Sequence, residues 1–273
     1  MTAIEQHAVQ VTDTFAAHPQ GRLFVRTWNG GAGVQDRTGE APILLLHDSL
    51  GCVELWRDFP AALARTLGRR VIAYDRLGFG RSDPRHGALA PSFVEEEAGI
   101  VLPVLQRALG FGRFIAFGHG VGGGMAVHCA ALHPDDCLAL VTESTQAFVE
   151  ERTRAGILDA KLGFQDPARF GRLARYHGDK ARWVLDAWTE TWLSPAFAGW
   201  SLEDVLPRVR CPLLALHGEH DEFGSVRQPE TIARLAGGGA RVEIMAGACH
   251  VPHREQASPV LGLVRGFIDA LRA

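Results

Sequence analysis

RFIAFGHGVGGG, residues 113–124, is the stretch on which the fold turns. Arg113–Phe117 is a mostly apolar run with the makeup of a strand buried on both faces. Val121–His133 has helical character, and Pro134 stands just beyond it, where a helix stops. Gly118 to Gly124 must therefore carry the chain from strand to helix within a few residues. Two mechanisms use such a turn. The nucleophile elbow, G-x-S-x-G, needs Gly118 and Gly122 for close backbone approach, and it holds a strained central residue at the helix N-terminus. Here the centre is Gly120, so this elbow carries no hydroxyl. The dinucleotide fingerprint, G-x-G-x-x-G, is met literally by Gly118, Gly120 and Gly123. Glu143 ends the next strand about 20 residues on, where a ribose-binding acid belongs. Taken alone, the turn favours the nucleotide reading.

Outward from the turn, apolar runs alternate with helical ones. Upstream lie the strand Ile43–Leu46, a helical run Glu54–Leu67, the strand Val71–Tyr74, and a helix over Pro91–Leu109 whose acidic start, Glu95–Glu97, suits the helix dipole. Further back, Val9–Phe15 and Leu23–Trp28 read as a strand pair across a Pro-Gln-Gly turn, followed by a polar loop from Gly30 to Glu40. Downstream comes the strand Cys137–Thr142, and then the alternation breaks. Residues 145–207 are helical and carry Trp183, Trp188, Trp192 and Trp200. It resumes with the strand Pro212–His217, a helix over Pro229–Leu235 and the strand Arg241–Met245. A last helix over Ser258–Leu271 puts Leu261, Val264, Phe267, Ile268 and Leu271 on one face. Strands separated by helices predict a mostly parallel sheet with helices on both sides. The expected organisation is a core of residues 1–144 and 208–273 with a helical cap, 145–207, inserted between two strands. Ligands of such sheets bind beyond the carboxyl ends of the strands, the place over which that insertion would hang.

Composition narrows the function classes. The chain has 273 residues, 47% hydrophobic and 22% charged, enough for one domain with an insertion and too apolar for disorder. A net charge of −3 gives no reason to expect a nucleic acid or an anionic membrane as partner. No apolar run is long enough to span a bilayer. Met1–His18 lacks the basic and apolar regions of a signal peptide. The five scattered cysteines form no CxxC pair and read as free buried thiols of a cytoplasmic protein, not as metal ligands.

Four further loops decide between the two readings of the turn. His47-Asp48-Ser49-Leu50-Gly51 follows the first central strand, and Asp75-Arg76-Leu77-Gly78-Phe79-Gly80-Arg81-Ser82-Asp83 follows the second. Gly218-Glu219-His220-Asp221 and Gly247-Ala248-Cys249-His250 follow the last two. All lie at strand carboxyl ends, on one rim, and a dinucleotide fold needs neither the acid nor the histidine. With these loops the chain resembles the α/β-hydrolase superfamily, in its branch of small, capped, esterase-like and carbon–carbon hydrolase-like members, from about residue 9 to residue 271. The order nucleophile, acid, histidine falls on Gly120, Asp221 and His250. The resemblance implies His250 as general base and acid and Asp221 as the carboxylate that orients it. It implies the N–H groups of Val121 and Ser49 as oxyanion donors. Many members have glycine where this chain has Asp48, which leaves the detailed shape of that loop open. His47, His119, Glu143, Trp188 and Trp192 are the expected pocket residues, with Glu143 also an alternative acid.

The implied function is hydrolysis of small, mostly apolar ester-like carbonyl substrates by a Ser–His–Asp scheme, impaired here at Gly120. It needs no cofactor or metal, and only a small-molecule partner, in a monomer or homodimer. Because the acid, histidine and oxyanion loop are all retained, an engineered or recent serine-to-glycine exchange is the favoured history. The alternatives are hydrolysis of a carbon–carbon bond in a diketone, ligand binding without catalysis, and dinucleotide binding at Gly118–Gly123.

Overall fold

The computed structural model describes residues 9–30 and 41–271, and in it the apolar runs become one eight-stranded sheet. β1 (Gln10–His18) and β2 (Gly21–Asn29) form an antiparallel hairpin turned by Pro19 and Gln20, so both strands run further into the turn segment than its composition suggests. The strands β3 (Ile43–Leu46), β4 (Val71–Tyr74), β5 (Phe114–His119), β6 (Cys137–Glu143), β7 (Leu213–Gly218) and β8 (Ala240–Met245) follow. Their order is β1-β2-β4-β3-β5-β6-β7-β8. β2 is antiparallel to β4, and every pairing from β4 to β8 is parallel. Residues 31–40 of the expected polar loop, and residues 1–8 of the stretch read as lacking a signal peptide, lie outside the described residues.

Successive side chains of a strand point to opposite faces, and here each face finds its own helical layer. Leu44, Leu46, Ile72 and Ala116 pack on one side with the helices α2 (Phe93–Glu96), α3 (Leu102–Leu109) and α4 (Val121–Leu132). Ile43, Leu45, Val71, Ala73 and Phe117 pack on the other with α1 (Phe59–Leu67) and the C-terminal helix Ala257–Ala270. One helix expected to be continuous is interrupted, and another is continuous but changes pitch within. The run 54–67 divides into a 3₁₀ turn, Val53–Trp56, and α1, which restarts with Pro60 in its first turn. The run 91–109 carries a π turn, Glu97–Val101, between α2 and α3, next to Pro103, which has no N–H to give.

Between β6 and β7 the chain leaves the sheet and forms α5 (Glu151–Gly163), α6 (Pro167–His177) and α7 (Ala181–Leu193), an inserted helical cap. Its inner surface rests on the loop after β4. Phe79 packs among Leu173, Ala181, Val184 and Leu185, and the Lys180 ammonium donates to the carbonyls of Phe79, Gly80 and Ser82. That loop is built around Asp75. Its carboxylate accepts the N–H groups of Val53 and Arg81, and burial pushes its pKa up to about 6. The remaining helices are α8 (Arg227–Leu235), α9 (Pro252–Glu255) and α10, the C-terminal helix already named. Among the described residues no helix is long and apolar enough to cross a membrane. The cysteines are free, but only four are buried. Cys249 is exposed in the loop after β8, which corrects the expectation of buried thiols throughout.

The sheet has a switch point. β3 neighbours β4 on one side and β5 on the other, so the loops leaving β3 and β5 part in opposite directions and open a crevice at their carboxyl ends. Asp48 follows β3 and Gly120 follows β5, so the two meet there.

Candidate active site

β5 turns into α4 at Gly120, whose φ of 56° and ψ of −126° are strained for any residue with a side chain. The turn closes through Gly120 N–H to the Glu143 carbonyl at 2.9 Å and Gly123 N–H to the Gly120 carbonyl at 3.0 Å. The flanking glycines have steric causes. A Cβ on Gly118 would lie 2.2 Å from the Gly122 carbonyl oxygen, and one on Gly122 would lie 2.1 Å from that of Leu46. Backbone packing thus accounts for the glycines without a pyrophosphate. Glu143, the acid that a ribose would need, is fully buried, and its carboxylate accepts from the N–H and Nδ1 of His253. The dinucleotide reading therefore loses its recognition group.

The space facing Gly120 is filled by Asp48. A Cβ on Gly120 would stand 2.0 Å from Asp48 Oδ1 and 2.5 Å from its Cγ. The carboxylate lies where a seryl CH₂OH would project. Oδ1 accepts the N–H of Val121 at 3.2 Å. One of the two N–H groups expected to hold an oxyanion is thus directed at Asp48. His47 holds the loop in shape. Its Nε2 accepts from the Arg76 N–H at 3.1 Å, so its Nδ1 carries the proton and donates to the Asp48 carbonyl at 2.8 Å. Burial first, then the Arg76 charge, keep the His47 ring neutral.

His250 lies between two carboxylates. Its Nδ1 is 3.0 Å from both oxygens of Asp221, and its Nε2 is 3.6 Å from Asp48 Oδ2. Asp221 is fixed in turn by the N–H groups of Phe223 at 2.8 Å and Gly224 at 3.2 Å. Burial by itself lowers the pKa of His250. The charges and hydrogen bonds of Asp221, then of Asp48, outweigh burial and raise it well above the ordinary histidine value. Both carboxyls are held below their usual range, burial being overcome chiefly by His250.

A cavity of about 200 Å³ lies between this rim and the cap. Asp48, Ser49 and His250 line it from the core, and Ile157, Trp188 and Trp192 from the cap. A second cavity, of about 150 Å³, reaches Asp48 from the other side and is lined by His47, Trp56, His119 and His253. The structure thus brings Gly120, Val121, Ser49, Asp221 and His250 together and places Trp188 and Trp192 on the cap side of the larger cavity. His47 and His119 face the smaller cavity. Glu143, expected at the pocket wall, lines neither, because it is buried behind the rim on His253. His119 donates its Nε2–H to the His250 carbonyl at 2.8 Å, and burial lowers its pKa to about 4, so it too is neutral. His119, Glu143 and His253 bring one ligand atom each within 4.8 Å of one another, but they are already engaged in the hydrogen bonds just described. Sequence reasoning missed two contributors. Phe223 packs its ring against His250 with centroids 4.8 Å apart. Asp48 was legible only as a departure at its own position; the signal lay in pairing it with the missing side chain at 120.

The chain matches the family model described as alpha/beta hydrolase fold over residues 41–191. A serine hydrolase of Mus musculus, BPHL, is 28% identical over 238 residues, covering 85% of this chain and 80% of the relative. Among solved structures, the enol-lactonase of Burkholderia xenovorans LB400 superposes with a TM-score of 0.71 at 23% identity, covering 94% of this chain and 100% of that one. The proline iminopeptidase of Mycobacterium smegmatis gives 0.69 at 20%, with 95% and 98% covered.

Proposed function

From the premise that the chain belongs to the α/β-hydrolase fold family, we propose that its site is built for hydrolysis of small, mostly apolar, ester-like carbonyl compounds, with its serine-type chemistry disabled at Gly120. The observation that carries this reading is the imidazole of His250, oriented by Asp221 through Nδ1 and turned with Nε2 toward the space over Gly120. With the Asp48 carboxylate gone from beside Nε2, an imidazole so held takes a proton from a nucleophile and passes it to a leaving group. The N–H of Val121, now given to Asp48, would be a donor to a tetrahedral oxyanion formed over Gly120, with the Ser49 N–H as the second donor the family resemblance implies. The apolar cavity under the cap supplies room for an acyl group or ring. The name of the mouse relative, a serine hydrolase, supports the same class of chemistry.

A hydroxyl alone does not complete this machinery. Serine at 120 would collide with Asp48, and Asp48 would still cover the Val121 N–H. The exchange Gly120→Ser combined with Asp48→Gly frees both. That double variant is expected to cleave p-nitrophenyl acetate and butyrate with burst kinetics, while Gly120→Ser alone stays near the parent level. A folded double variant with no turnover on esters or on a 1,3-diketone panel would remove the hydrolase reading. In that case binding without catalysis is what remains. Calorimetric titration with NAD(H) and NADP(H) checks the nucleotide alternative, and no heat of binding is expected.

A further inference from the structure

Two of the buried thiols touch. Cys137 opens β6 and Cys211 lies two residues before β7, and their Sγ atoms stand 3.7 Å apart at the amino ends of these neighbouring strands. Packing alone would treat such a pair as two small apolar side chains. Reactivity needs more: strands that hold the pair in register, backbone with room to adjust, and one thiol that ionises before the other. Each is present. β6 and β7 pair in parallel with Leu140 opposite Leu213, which fixes the two cysteines beside one another. On its other side β6 meets β5 with a shift of register, so that Phe114 faces Cys137 and Ile115 faces Ala139. Leu138 is skipped, and the ladder can give beside Cys137. Cys211 stands before the first paired residue of β7 and next to Pro212, which has no N–H to donate. Contact with Cys137 lowers the pKa of the Cys211 thiol, and the same contact, with burial, raises that of Cys137. Cys211 is thus the first to ionise. It is also the more accessible of the two, at 6% against 3%.

We propose that Cys137 and Cys211 form a reversible oxidation site, which a two-electron oxidant of the hydrogen peroxide class closes into a disulfide between β6 and β7. The bond would enclose residues 138–210, which comprise the rest of β6, the whole cap and the return to the sheet. A link across so long a loop removes much of the unfolded chain's freedom, so the oxidised protein should resist unfolding. The thiols lie at the strand ends opposite to those that lead to Gly120, Asp221 and His250, so the proposal is independent of the hydrolase reading.

The steps balance. The Cys211 thiolate attacks one oxygen of hydrogen peroxide, the O–O bond breaks, and hydroxide leaves with the electron pair. Cys211 is then a sulfenic acid, S–OH. The Cys137 thiolate attacks the Cys211 sulfur, the S–O bond breaks, and a second hydroxide leaves. Each hydroxide takes up the proton that its thiol released. The sum is two thiols plus hydrogen peroxide giving one disulfide and two waters, with two electrons passed from sulfur to oxygen. The sulfur atoms close from 3.7 Å to about 2.05 Å, a movement taken up at the skipped residue of β6 and in the segment before β7.

The test treats the folded full chain with hydrogen peroxide, quenches it with catalase and alkylates every remaining thiol in denaturant. Peptide mass mapping should find Cys137 joined to Cys211, with Cys52 and Cys129 alkylated and the exposed Cys249 oxidised as a measure of the dose. Dithiothreitol should return both thiols. The linked form should melt roughly 5–10 °C above the reduced form. Cys137→Ser should gain neither the link nor the rise. Absence of the link in the folded parent, at a dose that oxidises Cys249, would overturn the proposal without relying on any variant. So would a link that forms only in urea, or one that joins either cysteine to Cys129 instead. A linked parent that melts with the reduced form, or a rise that persists in Cys137→Ser, would refute the stabilising role.

Discussion

Gly120 and Asp48 should be energetically coupled, and the size of the coupling follows from the contact between them. Placing serine at 120 imposes two costs. A side chain at φ 56° and ψ −126° is strained by roughly 1–3 kcal/mol. Its Cβ would stand 2.0 Å from Asp48 Oδ1, so the carboxylate must move and give up the Val121 N–H and the approach to His250. Hydrogen bonds to a charged group contribute roughly 1.5–3 kcal/mol. Gly120→Ser should therefore lose roughly 2.5–6 kcal/mol, a drop in Tm on the order of 10 °C for a chain of this size. Asp48→Gly alone should lose roughly 1.5–3 kcal/mol, the same hydrogen bonds. The double variant pays the strain and loses the bonds once, so it should be about as stable as Gly120→Ser. The cycle then closes with a coupling of roughly 1.5–3 kcal/mol, well beyond the few tenths expected of independent sites. Urea melts of the four proteins followed by circular dichroism measure it. Additivity within about 0.5 kcal/mol would refute the placement of Asp48 against Gly120, and with it the account of the filled nucleophile position.

Two further outcomes follow from the same geometry. His250 should give the ¹⁵N signature of a doubly protonated ring at pH 7. Its folded pKa lies above the unfolded value, so its contribution to stability is full below about pH 6.5 and is lost as pH rises through the folded value. Asp221→Asn should lower that titration midpoint and flatten the alkaline loss of stability; an unchanged midpoint would show that the Asp221 carboxylate does not set it. Gly122→Ala places a methyl 2.1 Å from the Leu46 carbonyl, backbone that cannot step aside, so it should lose more than about 4 kcal/mol or fail to accumulate folded. A melt within 1–2 °C of the parent, about 0.5 kcal/mol, would contradict the packing of β3 against α4.

What the sequence made legible, and what it concealed, divides along a physical line. The parallel sheet was readable because Ile43–Leu46 and Val71–Tyr74 are apolar on both faces, and a strand of that kind has few other places to go. The loop after β4 was readable because Asp75, Gly80 and Ser82 interlock locally. A Cβ at Gly80 would lie 2.1 Å from Asp75 Oδ2, and Ser82 Oγ donates to the Asp75 carbonyl, so the residues are needed together within a few positions. Asp221 and His250, with 28 residues between them, stood out as loop residues after strand carboxyl ends, and the family resemblance supplied their roles. The interruption in the run 54–67 escaped because a proline near a helix start is compatible with continuation or restart, and only packing chooses. Glu143 was misplaced for a related reason. At a strand's end, period alone allows its side chain to face the pocket or the layer behind, and the choice was made by His253, a partner 110 residues away. Asp48 is the deepest case. At its own position it reads as a substitution in a loop. Its meaning depends on what position 120 lacks, since only an absent Cβ leaves the volume that its carboxylate takes. A residue whose role is set by a neighbour's missing atoms cannot be read one position at a time. The pair, Gly120 with Asp48, is therefore the unit on which the chemistry of this site should be judged.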